Sequence, residues 1–389
     1  MTVRAWLATV LILGSAALAG GCGGGGSSRP TGGGAGAGGP GRCDLAHVQA
    51  KINTYKRIPR WTPPGAAFDA AKAAGNRVFS VQENSANPFT ENIVAGARRV
   101  AARAGIPFSD YGNQGGHTQW AQGVSAAMTQ NADGLLLSGG TIGPIYFRSQ
   151  AAAARRAGVK IVTIADRDVT QSAEPLVDAR VGQPYAQAAR LDADWIIMRT
   201  KCKADVLVIT SNEVIAGDIN SRAAEDEFAK YCGGGCKLRF QDVPVTDWST
   251  KIQPIVQSSI AADPNLNYVL PLYDAMSQFV VAGVQVAGMT GKIHIATFNG
   301  TPSVLRMIQT GHTVEMDVGE DEAQVGYAGM DQMMRLFAGV PPIANGDEHI
   351  PLRVFDATNV DEAGVPPQFA VGYGNAWRAG YLKLWGLGG

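Results

Sequence analysis

The sequence is short of the residues on which most catalytic and nucleic-acid-binding machinery depends. Its five histidines, His47, His117, His294, His312 and His349, form no HExxH pair, and neither a nucleophile elbow nor a phosphate loop accompanies them. A hydrolase built on paired carboxylates would escape that test, and it stands as the minor enzymatic alternative. Charge of one sign is also lacking: 33 basic residues balance 33 acidic ones, and nothing suggests the basic face that a polyanion such as nucleic acid requires. Beyond the apolar stretch from Ala5 to Leu18, no hydrophobic run is long enough to cross a bilayer. Cysteine is scarce, at five residues, and histidine or a second close cysteine pair is missing near Cys232 and Cys236, so a zinc site is not expected. Neither a cofactor nor a metal is called for.

The N-terminus carries the first positive signal. Arg4, the apolar stretch and the small residues Ala19-Gly20-Gly21 have the charge, length and ending of a secretory signal peptide over 1–21. Cys22 follows directly, as in a bacterial lipobox, although Ala19 stands where an aliphatic residue is usual; Cys22 is therefore the expected lipidation site. Residues 22–42 are mostly Gly, Ser, Ala and Pro and cannot bury a core, so they read as a flexible lipidated tether. Within it, Gly34-Ala35-Gly36-Ala37-Gly38-Gly39 matches the dinucleotide fingerprint formally. It has no strand before it and no helix after it, and is low complexity. In an exported chain the remaining four cysteines favour disulfides. Cys232 with Cys236 is the preferred pair, leaving Cys43 and Cys202 as a long-range pair or two free thiols.

Roughly 345 residues then remain, enough for two domains of ordinary size. From Arg77 onward, short apolar runs alternate with segments of helical length: 77–82, 134–137, 160–164, 204–210, 237–243, 268–272, 293–297 and 313–318. Their unbroken apolar character suggests parallel strands covered on both faces. Helices are predicted over 88–105, opened by Pro88 and stopped by Gly105, and over 322–338, where Val325, Ala328, Gly329, Met333 and Leu336 form one stripe. Repeated strand–helix–strand units imply an α/β fold of two doubly wound, Rossmann-like lobes.

Ligands of such sheets bind beyond the carboxyl ends of the strands. Those positions are polar here: Glu83 to Asn87, Ser138 to Thr141, Asp166-Arg167-Asp168, Ser211-Asn212-Glu213, Asp247-Trp248, Tyr273-Asp274, Asn299-Gly300-Thr301 and Asp317 to Glu320. Carboxylates, amides, a guanidinium and aromatic rings in one cleft suit an uncharged polyhydroxy ligand, with Trp248 packing on the C–H face of a sugar ring. Asp and Asn are equally at home there as turn and cap residues.

The order of these motifs resembles the type I periplasmic binding proteins of the ribose and galactose class, the substrate-capturing lipoproteins of ABC importers. The resemblance runs from about Gly75 to Phe355. Asn87-Pro88-Phe89 is similar to that family's Asn-Pro-Phe segment, and Phe298-Asn299-Gly300-Thr301-Pro302 to its Phe-Asp-Gly-Thr-Pro segment, with Asn299 replacing the aspartate. Ser221-Arg222 with Glu225 and Phe228 resembles its arginine-bearing helix start, Asp247-Trp248 its Asp-aromatic pair, and Leu272-Tyr273-Asp274 its Asn-Asp stretch, with Tyr273 replacing the asparagine. Thr141 falls near a position where relatives carry aspartate, Asp166 or Ala165 matches an Asp-Arg pair depending on a one-residue shift, and Asp317 to Glu320 is acidic where relatives often have glutamine.

The resemblance implies two lobes with parallel sheets joined by a three-crossing hinge, with crossings expected near 168–180, 317–321 and 340–348. The expected division is an N-terminal extension 43–74, an N-terminal lobe of 75–170 plus 319–345, a C-terminal lobe of 171–318 plus 346–360, and a C-terminal extension 361–389. The aromatics of the extensions are expected to pack on the domain surface, with a transporter contact as the alternative. The implied function is a monomeric, non-enzymatic, extracytoplasmic lipoprotein, anchored to the outer face of the cytoplasmic membrane. It would capture a sugar or polyol and deliver it to an ABC permease, or present it to a membrane sensor. The expected substrate-binding residues are Glu83, Asn87, Phe89, Thr141, Asp166, Arg222, Trp248, Tyr273, Asp274, Asn299, Asp317 and Glu320. A lactose-repressor-like regulator shares this core but needs a helix-turn-helix ahead of it, where a signal and a glycine tether stand instead.

Overall fold

The computed structural model describes residues 41–311 and 313–388. The signal peptide, Cys22 and nearly all of the tether lie outside the described residues.

Eleven strands and eleven α-helices alternate along the described chain. The strands are β1 (Val78–Gln82), β2 (Phe108–Tyr111), β3 (Gly134–Ser138), β4 (Lys160–Asp168), β5 (Ala179–Gln183), β6 (Asp205–Thr210), β7 (Lys237–Asp242), β8 (Tyr268–Pro271), β9 (His294–Asn299), β10 (Val314–Glu320) and β11 (Leu352–Asp356). The helices are α1 (Leu45–Tyr55), α2 (Pro88–Ala104), α3 (His117–Thr129), α4 (Arg148–Arg156), α5 (Tyr185–Thr200), α6 (Gly217–Tyr231), α7 (Trp248–Ala262), α8 (Asp274–Val286), α9 (Pro302–Gln309), α10 (Glu322–Ala338) and α11 (Ala376–Leu384).

The strands form two sheets, one of order β2-β1-β3-β4-β5 and one of order β11-β10-β9-β8-β6-β7. All pairings are parallel except that of β11 on β10. Apolar residues cover both faces of the first sheet, as its continuous hydrophobic runs require. Val78, Leu136 and Val162 face a core shared with α2 and α10, while Phe79, Leu135 and Ile161 face one shared with α3 and α4. The second sheet has its own core, from Val206 and Val269 to Val354.

Local signals set the helices that reach the cleft. Asn87 caps α2, its side chain accepting from the Phe89 amide, and Gly105 ends it at φ 67°. Asp321 caps α10 by accepting from the Ala323 and Gln324 amides. The two helices cross at glycines because nothing larger fits: a Cβ on Gly96 would lie 2.6 Å from the Ala323 carbonyl oxygen, and one on Gly326 only 2.1 Å from that of Ile93.

The chain passes between the cores at 183–185, at 320–322, and between α10 and β11. The first passage differs from the expected 168–180, and the boundary expected at 170/171 falls short of the first sheet's last strand. β5 extends that sheet in register with β4, Val162 opposite Ala179 and Ile164 opposite Val181. The terminal nitrogens of its buried Arg180 donate to the carbonyls of Asp168, Val169 and Gln171.

Both extensions add further passages. Val48 and Ile52 of α1 pack into the second core, Lys51 reaches Asp194 at 2.9 Å and Glu227 at 2.8 Å, and a disulfide joins Cys43 to Cys202. A second disulfide joins Cys232 to Cys236. The chain then crosses to the first core, where the Phe68 and Ala70 amides donate to the carbonyls of Leu384 and Trp385 and Ala70 and Ala73 are buried. The C-terminal extension makes the same passage: Val360 and Tyr373 belong to the second core, Trp377, Tyr381 and Trp385 to the first. The indole of Trp385 donates to Asp331 at 2.6 Å and the Tyr381 hydroxyl to Glu348 at 3.1 Å. These aromatics complete a core and do not merely cover a surface.

Candidate ligand-binding cleft

The carboxyl ends of strands from both sheets converge on one cleft. Glu83, Asn87 and Phe89 after β1, with Gly140 and Thr141 after β3, form one wall. Val214 after β6, Val245 and Trp248 after β7, Tyr273 and Ala275 after β8, and Asn299 at the end of β9 form the other, and Tyr185 at the start of α5 joins them. The walls touch in this structure: the Ile215 amide donates to the Gly140 carbonyl at 2.9 Å, and the Tyr185 hydroxyl to the Ala165 carbonyl at 2.6 Å.

The first wall is organised by Glu83. One carboxyl oxygen accepts from the Asn87 side-chain amide at 2.8 Å, and the other from the Thr141 amide and hydroxyl, each at 3.0 Å. Burial raises this carboxyl above its ordinary value, opposed by those hydrogen bonds. Asn87 is doubly engaged, since its oxygen also caps α2 at the Phe89 amide.

The second wall is organised by rings. Trp248 lies near-parallel to Tyr273, with centroids 6.5 Å apart and planes at 22°, and its indole donates to the Val243 carbonyl at 3.1 Å. The Tyr273 hydroxyl accepts from the buried Asn220 amide at 3.1 Å, and burial raises its pKa. Asn299 accepts from the Asp274 amide at 3.3 Å.

Seven of the twelve expected residues therefore line the cleft: Glu83, Asn87, Phe89, Thr141, Trp248, Tyr273 and Asn299. Three others are buried outside the lining, and two of them hold its loops. Asp274 accepts from the Thr301 amide and hydroxyl, both at 2.7 Å, and Asp317 from the Gly300 amide at 3.0 Å. Glu320 is 1% exposed; burial, opposed by the Asn299 amide, pushes it up to about 8. Asp166 is also buried, beside Arg167 at 3.4 Å, and burial pushes it up to about 6 despite that cation.

Arg222 is placed elsewhere. Its side chain is exposed and pairs with Asp218 one turn away at 3.0 Å. Because α6 begins at Gly217, its phase turns Asn220 inward, where it is 2% exposed, and leaves Arg222 in solvent. Tyr185, Val214, Val245 and Ala275 were not anticipated. Three are small or apolar residues without a polar signature, and Tyr185 sits at a helix start whose preceding strand the sequence did not disclose.

Residues 78–340 match the periplasmic binding protein domain family. The D-allose-binding periplasmic protein of Escherichia coli is 20% identical over 291 residues, covering 73% of this chain and 91% of that protein. Among solved structures, an ABC transporter solute binding protein from Agrobacterium vitis bound with α-D-tagatopyranose has a TM-score of 0.66 at 19% identity, covering 76% of this chain and 99% of its own. One from Bacillus halodurans with bound myo-inositol has a TM-score of 0.63 at 15% identity, covering 75% and 98%. Two sheets facing one cleft at their carboxyl ends, and a family match over most of the chain, lead to one conclusion: this protein belongs to the periplasmic binding protein family, extracytoplasmic proteins that bind solutes and do not transform them.

Proposed function

We propose that this protein captures a sugar or sugar-like polyol between its two walls and delivers it to the permease of an ABC importer. The observation that carries this reading is the pairing, across one cleft, of a polar wall centred on Glu83 with an aromatic wall centred on Trp248. A pyranose offers hydroxyls to the first and a C–H face to the second. A relative named for D-allose binding, and similar solved structures that hold α-D-tagatopyranose and myo-inositol, support the same class. A ligand touching both walls favours the closed arrangement by its differential affinity, and a permease can distinguish closed from open. Cys22 is the proposed lipid anchor and the Gly-rich segment the tether, which leaves a monomeric binding unit held at the membrane.

The test is a melting series of the purified protein with pentoses, hexoses, polyols and inositols. A shift that grows with the concentration of one compound establishes binding by mass action. Flat curves across the panel, from folded protein freed of co-purified ligand, would refute the sugar class.

A further inference from the structure

The C-terminal extension reaches the cleft from behind. Residues 341–389 lie beyond the stretch matched to the family, yet Tyr373 is 4% exposed and belongs to the second core. Gly372 and Gly374, at φ 102° and 79°, turn the chain inward on either side of it. The Gly372 carbonyl accepts from the buried Arg353, which also donates to the Lys56 carbonyl and to Glu362. One guanidinium thus pins this turn and the N-terminal extension together. The Tyr373 ring stands edge-on to Phe355, with centroids 5.3 Å apart and planes at 81°.

From there the Tyr373 hydroxyl reaches the loop that carries Asn299. A Cβ added to Gly300 or to Gly319 would collide with that oxygen, which therefore occupies the space over both glycines. Gly300 follows Asn299, which lines the cleft, and Gly319 is the register partner of Asn299 where β10 runs beside β9. Asn299 has φ 152°, a backbone conformation that residues with side chains rarely adopt and that the surroundings must enforce. Hydrogen bonds supply part of that restraint. The Gly300 amide donates to Asp317 at 3.0 Å, the Thr301 amide to Asp274 at 2.7 Å, and Asn299 accepts from the Asp274 amide at 3.3 Å. Phenylalanine would pack against Phe355 as tyrosine does, and among the described residues the Tyr373 hydroxyl has no hydrogen-bond partner. What the oxygen adds to the ring is its contact with the two glycines.

We propose that Tyr373 is a positioning residue for ligand binding: its hydroxyl oxygen braces the Asn299–Gly300 turn from behind and so aims Asn299 into the cleft. This rests on the sugar reading above and adds to it a segment outside the matched domain. The extension acts on the bound sugar through the loop and does not touch it.

Two measurements on purified Tyr373→Phe, Tyr373→Ala and a control, Val48→Ala, test this. Val48 lies in the same core but on α1. Hydrogen exchange by mass spectrometry on a peptide spanning 297–303, without sugar, reads the turn itself. Exchange there should quicken about tenfold in Tyr373→Ala and about threefold in Tyr373→Phe, and hold the parent's rate in Val48→Ala. Calorimetric titration with the pentoses, hexoses, polyols and inositols of the melting series, D-allose, D-tagatose and myo-inositol among them, reads the consequence. Affinity should fall about tenfold in Tyr373→Ala, the scale of one hydrogen bond lost, and about threefold in Tyr373→Phe. Tyr373→Phe should do so without a lower melting temperature, since it gives up no protein hydrogen bond, and it carries the test if Tyr373→Ala does not fold. Val48→Ala should melt lower with affinity unchanged. Parent-like exchange at 297–303 in folded Tyr373→Phe would overturn the brace. Faster exchange with unchanged affinity would overturn its part in binding and leave the sugar reading standing. If no compound of the panel binds the parent, the sugar reading falls, and the binding role of Tyr373 falls with it.

Discussion

The two walls of the cleft solve the same problem with opposite means. On the first, one carboxylate is held at the surface and tied down by Asn87 and Thr141, so a polar group is presented already oriented. On the second, the carboxyls of Asp274 and Asp317 are withdrawn behind the loop they fasten, Glu320 is buried with them, and aromatic rings and the Asn299 amide face the ligand. The first wall would recognise a charge or a hydroxyl; the second recognises a shape. The contrast teaches that an acidic strand end need not mean an acidic binding surface, because the same residue type can serve as a contact or as a loop fastener.

The comparison can be broken most sharply at Trp248. Trp248→Ala should weaken ligand affinity about 30-fold, the scale of a buried aromatic hot spot of about 2 kcal/mol, and lower the ligand-free melting temperature as its packing on the second core is lost. An unchanged Kd by calorimetry would mean that the second wall does not read shape through this ring.

Next in size is a pH effect on the withdrawn carboxyls. The folded-state value of Glu320, about 8, lies above the ordinary 4.5, so the native state holds a proton that the unfolded chain has released. Its contribution to stability is intact below about pH 4.5 and is lost as pH rises toward 8. Glu320→Gln should therefore be more stable than the parent at pH 8, by on the order of a few kcal/mol in denaturant titration, with the gap closing toward pH 4.5. A gap independent of pH would show that Glu320 does not titrate in this window.

On the first wall, Thr141→Val removes the hydroxyl bond to Glu83 but leaves the backbone one. Affinity should drop about fivefold, for roughly 1 kcal/mol of lost orientation. The smallest effect belongs to Tyr273→Phe, which strips a partner from the buried Asn220. It should lower stability by about 1 kcal/mol in denaturant titration and change affinity less than threefold; a larger affinity loss would show that the Tyr273 hydroxyl touches the ligand directly.

Much of the scaffold was legible because its signals are local. Asn87-Pro88 and Gly105 bound α2, the apolar stripe marks α10, and unbroken apolar runs mark the central parallel strands. The strands that escaped notice are the ones whose burial depends on distant chain. β2 is a four-residue edge with half its residues exposed. β5 and β11 each carry a buried arginine, Arg180 and Arg353, that only tertiary partners such as the Lys56 carbonyl and Glu362 make tolerable. The strand-end rule found seven lining residues, but the phase of α6, which separates Asn220 from Arg222, depends on where that helix starts, and nothing in the local sequence marked Gly217 as the start.

The interlocked ends of the chain also constrain the order in which the protein can be built. Cys43 cannot meet Cys202 until about 160 further residues have emerged, and the loop around Phe68 and Ala70 lacks the partners it has here until Leu384 and Trp385 have followed. Trp377, Tyr381 and Trp385 fill the same core that begins at Ala70, so the half of the molecule that is synthesised first is finished last. A chain made from its N-terminus is here closed by residues near Trp385, and one cut short before α11 would leave its first core unsealed.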